Sequence, residues 1–299
     1  MTRPRVLVLG AGGRVGTLLR AAWDRRGAEL VVQSRRNLGP GTLALAPEVA
    51  GAAALATALT AQRPDLVVCL WGAVPGAQEA DFTRNTRLAE LAFRASAQAG
   101  IARFVALSTG AVYGPKDSHA FCEDDTLAGT SPYARSKIAM ERRLRDLATA
   151  DAPALTTLRL ANLFGADQLA VAMRNARTET PLKLDQFPDG TGPRRSYASG
   201  RLLAALLQAL ADADPTRLPP VLNVADSAAG VDMAAVLDAM QAAGHPVAWQ
   251  WTPAPPTALH AHLLDTRTLF QTFPALQQVR CHDAGALVRQ TPFAAETTR

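Results

Sequence analysis

With 299 residues, 48% of them apolar and 19% charged, the chain has enough material for one large or two ordinary domains with a real core, which excludes intrinsic disorder. The net charge of +5 is modest. Its basic residues are scattered, with no run longer than pairs such as Arg25-Arg26, Arg142-Arg143 and Arg194-Arg195, so a nucleic-acid-binding face is excluded and anionic small molecules suit the charge better. Three widely spaced cysteines, Cys69, Cys122 and Cys281, make neither a disulfide framework nor a zinc site, and fit a reducing cytoplasm. No apolar run reaches transmembrane length, so no membrane partner is expected.

In chain order, Arg5 to Leu9 reads as a strand covered on both faces. Gly10-Ala11-Gly12-Gly13-Arg14-Val15-Gly16 follows, and then Val15, Leu18, Leu19 and Trp23 recur at helical spacing. Strand, glycine turn and helix in this order predict a dinucleotide site. Gly10 permits the tight turn, Gly12 and Gly13 let backbone approach a pyrophosphate beside Arg14 and Val15, and Gly16 allows helix and strand to pack closely. The helix N-terminus then presents free N–H groups to the phosphates. A second strand runs from Glu29 to Gln33 and ends in Ser34-Arg35-Arg36-Asn37, where an NAD site usually carries an acid for the ribose hydroxyls. Arginines there suit a 2′-phosphate, so NADP is preferred over NAD.

A weak strand is expected over Thr42–Leu45, a helix over Ala52–Ala61 and a strand over Asp65–Trp71, whose end at Trp71, Gly72 and Ala73 would pass beneath a cofactor. A long helix over Ala80–Gly100 contains Asn85, which can tie down the neighbouring strand. Ile101 to Leu107 is strand again and runs out at Ser108-Thr109-Gly110. The loop Gly114–Thr130 carries His119, Cys122, Glu123, Asp124 and Asp125. Its acids are consecutive and no second histidine is near, so it is expected to hold no metal. Ser131 as N-cap and Pro132 in the first turn open the next helix.

On that helix Tyr133 and Lys137 lie four residues apart, on one face. A phenol beside an ammonium is easier to ionise, which makes it a general acid/base. Ala154–Leu160 is a further strand, followed by Asn162. Residues 182–195 read as a ligand-wrapping loop, 202–210 as helix, 221–224 as strand and 231–243 as helix. The proline-rich 245–258 reads as irregular or edge structure, and 265–274 and 283–290 as short helices.

These motifs together resemble the extended short-chain dehydrogenase/reductase superfamily, in its NAD(P)-dependent epimerase/dehydratase branch. They are Gly10-x-x-Gly13-x-x-Gly16, Ser108-Thr109-Gly110-Ala111-Val112-Tyr113-Gly114, Tyr133-x-x-x-Lys137 and Leu158-Arg159-x-x-Asn162-x-x-Gly165. The resemblance implies an α/β fold, a Rossmann-type doubly wound parallel sheet over residues 1–163. Residues 196–226 would return to it, and 164–299 would form a small substrate-binding lobe. It also implies catalytic roles for Thr109, Tyr133 and Lys137, with Lys137 lowering the phenol's pKa and holding the nicotinamide ribose. Ser108, Thr109, Gly110, Asn162, Arg195 and Tyr197 would contact a small-molecule substrate, and a homodimer would form through helices 80–100 and 133–150.

The expected chemistry is hydride transfer at a hydroxyl or carbonyl carbon of a sugar-like or other small substrate, as an oxidoreductase or epimerase. Gly110 and Ala111 stand where the family's dehydratases carry acids, and neither can move a proton, so elimination is disfavoured. The segment Arg195–Arg201 lacks the histidine and aspartate usual in nucleotide-sugar enzymes. The alternative from another class is a non-catalytic dinucleotide-binding sensor on the same fold.

Overall fold

The computed structural model describes residues 3–73, 78–115 and 119–291; part of the expected loop 114–130 therefore lies outside the described residues. The chain forms β1 (Arg5–Leu9), α1 (Arg14–Ala22), β2 (Glu29–Ser34), β3 (Leu43–Ala44), α2 (Pro47–Gln62), β4 (Leu66–Cys69), α3 (Thr83–Gln98), β5 (Arg103–Thr109), α4 (Pro132–Leu147) and β6 (Ala154–Leu160). It continues with β7 (Asn162–Leu163), α5 (Gln168–Asn175), β8 (Leu182–Gln186), β9 (Arg194–Arg195), β10 (Tyr197–Ala198), α6 (Gly200–Asp212) and β11 (Val221–Val224). Last come β12 (Val231–Asp232), α7 (Met233–Ala242), β13 (Trp249–Pro253), β14 (Ala261–His262), α8 (Arg267–Thr272) and α9 (Ala284–Arg289).

Seven strands make one parallel sheet in the order β11-β6-β5-β4-β1-β2-β3. Strand order reverses beside β1, so the crevice at the carboxyl ends of β1 and β4 is a topological switch point, where such sheets take ligands. Alternation along β1 divides the core. Val6 and Val8 pack with Leu19 of α1 and Leu202, Leu206 and Leu210 of α6. Leu7 and Leu9 pack with Leu55, Leu59, Phe93, Met140 and Leu144 of α2, α3 and α4. With both faces covered, a continuous apolar run is what these strands require.

The smaller sheets lie beyond β6. β10 pairs with β7, β14 and β12 flank β9, and β13 lies parallel to β8. Here local reading and structure differ. Residues 182–186, expected as loop, are strand, because Leu182-Lys183-Leu184 alternates and buries Leu184 against a remote partner. The helix expected from Val231 begins at Met233; Val231 and Asp232 pair with β9, and Asp232 caps the helix. α2 starts earlier than expected, at Pro47, with a break in helical geometry at Gly51, whose φ is 72°.

Candidate active site

The glycine turn is built as its sequence requires. Gly10 has φ 85°, a conformation that side chains disfavour. A Cβ on Gly12 would lie 2.7 Å from Ser34 Oγ, and one on Gly16 within 2.6 Å of the Ala11 backbone. Gly13 is the N-cap of α1 and supplies no side-chain cap, so the first N–H groups of that helix stay available to an anion.

Gln33 locks this turn to its neighbours. Its Oε1 accepts from Gly10 N at 2.9 Å and from Trp71 Nε1 at 2.9 Å, and its Nε2 donates to Leu45 O at 2.5 Å. Around them lies a cleft of about 280 Å³, lined by Gly10, Gly12, Gly13, Ser34, Arg35, Arg36, Trp71 and Gly72. Arg35 and Arg36 are exposed at its rim. Arg84 and Glu48, unforeseen from sequence, also line it and form an ion pair. Absent side chains and open helix N–H groups make a cradle that fits a dinucleotide pyrophosphate.

Asn85 is fully buried and joins this cleft to α4. Its Oδ1 accepts from Ala73 N and its Nδ2 donates to Ser136 Oγ, both at 2.8 Å. α4 opens as expected, with Ser131 Oγ accepting from Ala134 N at 3.1 Å and Pro132 in the first turn. Tyr133 lies near Thr109, whose hydroxyl favours the ionised phenol. Burial pushes the Tyr133 phenol up to about 12, against the opposing influence of the Thr109 hydroxyl and the Arg14 charge.

Lys137 is tied to the strand that carries Thr109. Its Nζ donates to Leu107 O at 2.7 Å, and burial lowers its own pKa to about 8. Arg14, from the glycine turn, also favours the ionised phenol.

Ser108 is a correction. It is buried on the opposite side of β5 from Thr109, and its hydroxyl donates to Glu141, so it faces the core and not a substrate. Glu141 is also paired with Arg159, Nη2 to Oε2 at 3.0 Å, with side chains only 2% and 3% exposed. Arg159 Nη1 reaches Tyr113 Oη at 2.9 Å, and Tyr113 Oη donates to Asn223 Oδ1 at 2.7 Å. This network underlies β5 and was not anticipated as a unit.

On the other side of Thr109 is a cavity of about 240 Å³, lined by Thr109, Gly110, Ala111, Asn162, Arg195 and Ser196, and closed by Leu259, His262 and Leu264. Tyr197, expected at the substrate, is a second correction. It is buried, packs edge-on against Phe164 and lines no part of this cavity. Asp167 and Tyr197 face each other beneath it; burial raises Asp167 to about 6 and raises Tyr197 too. His262 and Leu264 arrive from about 150 residues beyond Gly110, with no local signal of their role. Among the described residues no cluster of histidine, cysteine and acids could hold a metal ion.

Fold and cleft together define a dinucleotide-dependent α/β protein. The chain matches the NAD dependent epimerase/dehydratase family over residues 6–225 and belongs to it. Among curated proteins it is 31% identical over 175 residues to a UDP-glucose 4-epimerase of Azospirillum brasilense, across 55% of this chain and 50% of that one. A UDP-glucose 4-epimerase of Bacillus subtilis is 40% identical over 68 residues, across 22% and 20%. The chain thus spans about half or less of the length of these relatives.

Solved structures share the fold. A UDP-glucose-4-epimerase of Stenotrophomonas maltophila, with bound NAD and formylated UDP-arabinopyranose, superposes with a TM-score of 0.79 at 20% identity over 97% of both chains. MoeE5 in complex with UDP-glucuronic acid and NAD gives 0.74 at 22% identity, covering 96% and 97%. TunA, an NAD dependent NDP-hexosamine 5,6-dehydratase, gives 0.73 at 22%, covering 96% of each.

Proposed function

We propose that the protein transfers hydride, with NADP or NAD, at a hydroxyl or carbonyl carbon of a small substrate, as an oxidoreductase or epimerase. The observation that carries this is that Thr109 lines the 240 Å³ cavity with Tyr133 near enough for its hydroxyl to lower the phenol's pKa, and Lys137 stands one turn further along α4. The glycine turn, Gln33 and Trp71 would hold the dinucleotide, and Lys137 its nicotinamide ribose. When bound, that group supplies or accepts the hydride. Thr109 orients the substrate oxygen. Tyr133, a neutral phenol at pH 7 in the free protein, gives that oxygen a proton in the reducing direction and takes one from it in the oxidising direction.

Because burial holds the phenol near 12, reduction should be nearly independent of pH below about 9, whereas oxidation should accelerate as pH rises and more phenolate forms. Exposed Arg35 and Arg36 at the end of β2 favour NADP over NAD, although the family is described by NAD and two of the neighbours named above were solved with it. The placement of α6 and β11 in the large sheet layer supports a division near residue 163, with 196–226 returning to the first unit.

Tyr133→Phe tests the reading by absorbance of the reduced cofactor. Turnover should fall roughly 10²–10⁴-fold with cofactor affinity unchanged. A mutant as active as the parent removes Tyr133 from the chemistry. A parent that binds cofactor but turns over no carbonyl or hydroxyl compound points to a sensor.

A further inference from the structure

Resting on the hydride-transfer reading above, we infer that the substrate is a small uncharged hydroxyl or carbonyl compound, carried without a nucleotide diphosphate. The cavity beside Thr109 holds about 240 Å³, below the ~300–1,000 Å³ of sites that enclose drug-sized ligands. Much of its wall is apolar, from Leu160, Leu259 and Leu264. It is also narrow where the chemistry lies: a Cβ on Gly110 would come within 3.2 and 3.3 Å of the two Leu264 methyls.

Its one permanently charged wall residue among the described residues is Arg195, beside the titratable His262, and that guanidinium has structural work. Nη1 donates to Arg194 O at 2.8 Å and His260 O at 3.4 Å, and Nη2 to Leu259 O at 3.1 Å. These bonds stitch β9 to the segment that closes the cavity. Turning Arg195 onto a diphosphate would break these bonds and loosen the wall, with His260 O keeping its bond from Arg194 N at 2.7 Å. A diphosphate carries two negative charges at neutral pH and is ordinarily met by several cations or backbone N–H groups. Asn162 and the wall hydroxyl of Ser196 offer hydrogen bonds and no charge; Ser196 Oγ already accepts from Leu264 N at 2.9 Å. Such a lining suits a neutral polar molecule with an apolar flank.

The test uses the full chain loaded with NADPH. UDP and UDP-glucose are titrated in by calorimetry, and in parallel NADPH oxidation is followed with short aldehydes, ketones and free hexoses. The expected result is no saturable heat from UDP or UDP-glucose up to about 1 mM. Turnover is confined to un-nucleotidylated carbonyls, and Gly110→Ala lowers it at least about tenfold while NADPH affinity holds. Saturable micromolar binding of UDP or UDP-glucose overturns the inference, most directly if Arg195→Ala then abolishes it. The two levels fail separately. The UDP titration decides the substrate class whatever the chemistry, whereas a Tyr133→Phe protein that oxidises NADPH as fast as the parent sinks the hydride-transfer reading alone.

Discussion

The two clefts flanking the Thr109–Tyr133 pair are made differently. The cofactor cleft is made by short-range sequence: a glycine turn, the end of the adjacent strand β2 and the end of β4, locked by the single side chain of Gln33. The substrate cavity is made at long range, where the end of β5 meets a wall from residues 259–264. One depends on the absence of side chains, the other on which side chains arrive. The first kind of site is difficult to alter without losing the fold, and the second can change specificity while the sheet stays as it is.

The largest effect should come from the network that both clefts rest on. Arg159→Met leaves the buried Glu141 carboxylate without its cation, with only the Ser108 hydroxyl donating to it. Breaking such a pair costs about 3–5 kcal/mol. A double variant, Glu141→Leu with Arg159→Met, should be less destabilised than the single one, as read by urea midpoints. If the double change costs as much as the sum of two singles, the pair is not coupled and does not unify the two sides.

The seam between the sheet and the C-terminal part should show itself in pH dependence. Asp226 is buried after β11, where it accepts from Ser199 N and Cys281 N at 2.5 Å each. Burial nonetheless raises its pKa from 3.8 to about 6. A carboxyl raised on folding binds its proton more tightly in the native state, so stability grows as pH falls from about 7 towards 4. For this group the gain is at most roughly 3 kcal/mol. Asp167, raised to about 6, acts in the same direction, whereas Glu90, held near 2 by Arg143, gives up its contribution as pH falls below about 4.5. Thermal midpoints of the parent should therefore rise on acidification to about pH 5 and fall in stronger acid. Asp226→Asn should flatten the rise, and a parent with flat midpoints from pH 7 to 5 refutes the assignment.

Gly16→Ala probes the cofactor side alone. Its Cβ would sit 2.5 Å from Ala11 Cα, backbone against backbone, so α1 must move away from β1. Overpacking of this kind costs about 1–3 kcal/mol. The shifted helix N-terminus should weaken NADPH and NADH alike by at least about tenfold in a fluorescence titration. Equal affinities of variant and parent would show that the close approach does not position the phosphates.

The contrast between clefts also explains what the sequence disclosed. Gly10, Gly13, Gly16, Ser131 and Pro132 each carry a local backbone requirement, and their places could be read directly. The order of the strands followed from apolar runs separated by helices. Gln33 carries no local signal, because its role depends on Trp71 and Leu45 coming near. Ser108 and Thr109 could not be separated by local pattern, since which faces the cleft depends on the register of β5 in the finished sheet. β8 alternates only over five residues amid proline, glycine and charge, and its partner β13 lies more than sixty residues on. His262 and Leu264 carried no signal, because a cavity wall brought from far along the chain leaves no mark in its own neighbourhood.

The smallest expected effect gives the sharpest test of what the cofactor cleft selects. Arg35 and Arg36 follow Ser34, and Ser34 Oγ accepts from Arg36 N at 3.1 Å, which fixes the backbone from which both guanidinium groups extend. Neither side chain is buried, so neither is needed for the fold. A 2′-phosphate adds about two negative charges that, among the described residues lining the cleft, only these groups and Arg84 could meet, and Arg84 is already paired with Glu48. Arg35→Ala with Arg36→Ala should therefore weaken NADPH about tenfold, or roughly 1.4 kcal/mol, and leave NADH within about twofold. Added salt should reduce the parent's preference in the same direction, because the pair is solvent-exposed. A parent that binds both cofactors equally removes the phosphate role from these arginines. The cleft would then be selective only for what its missing side chains admit, the shared pyrophosphate.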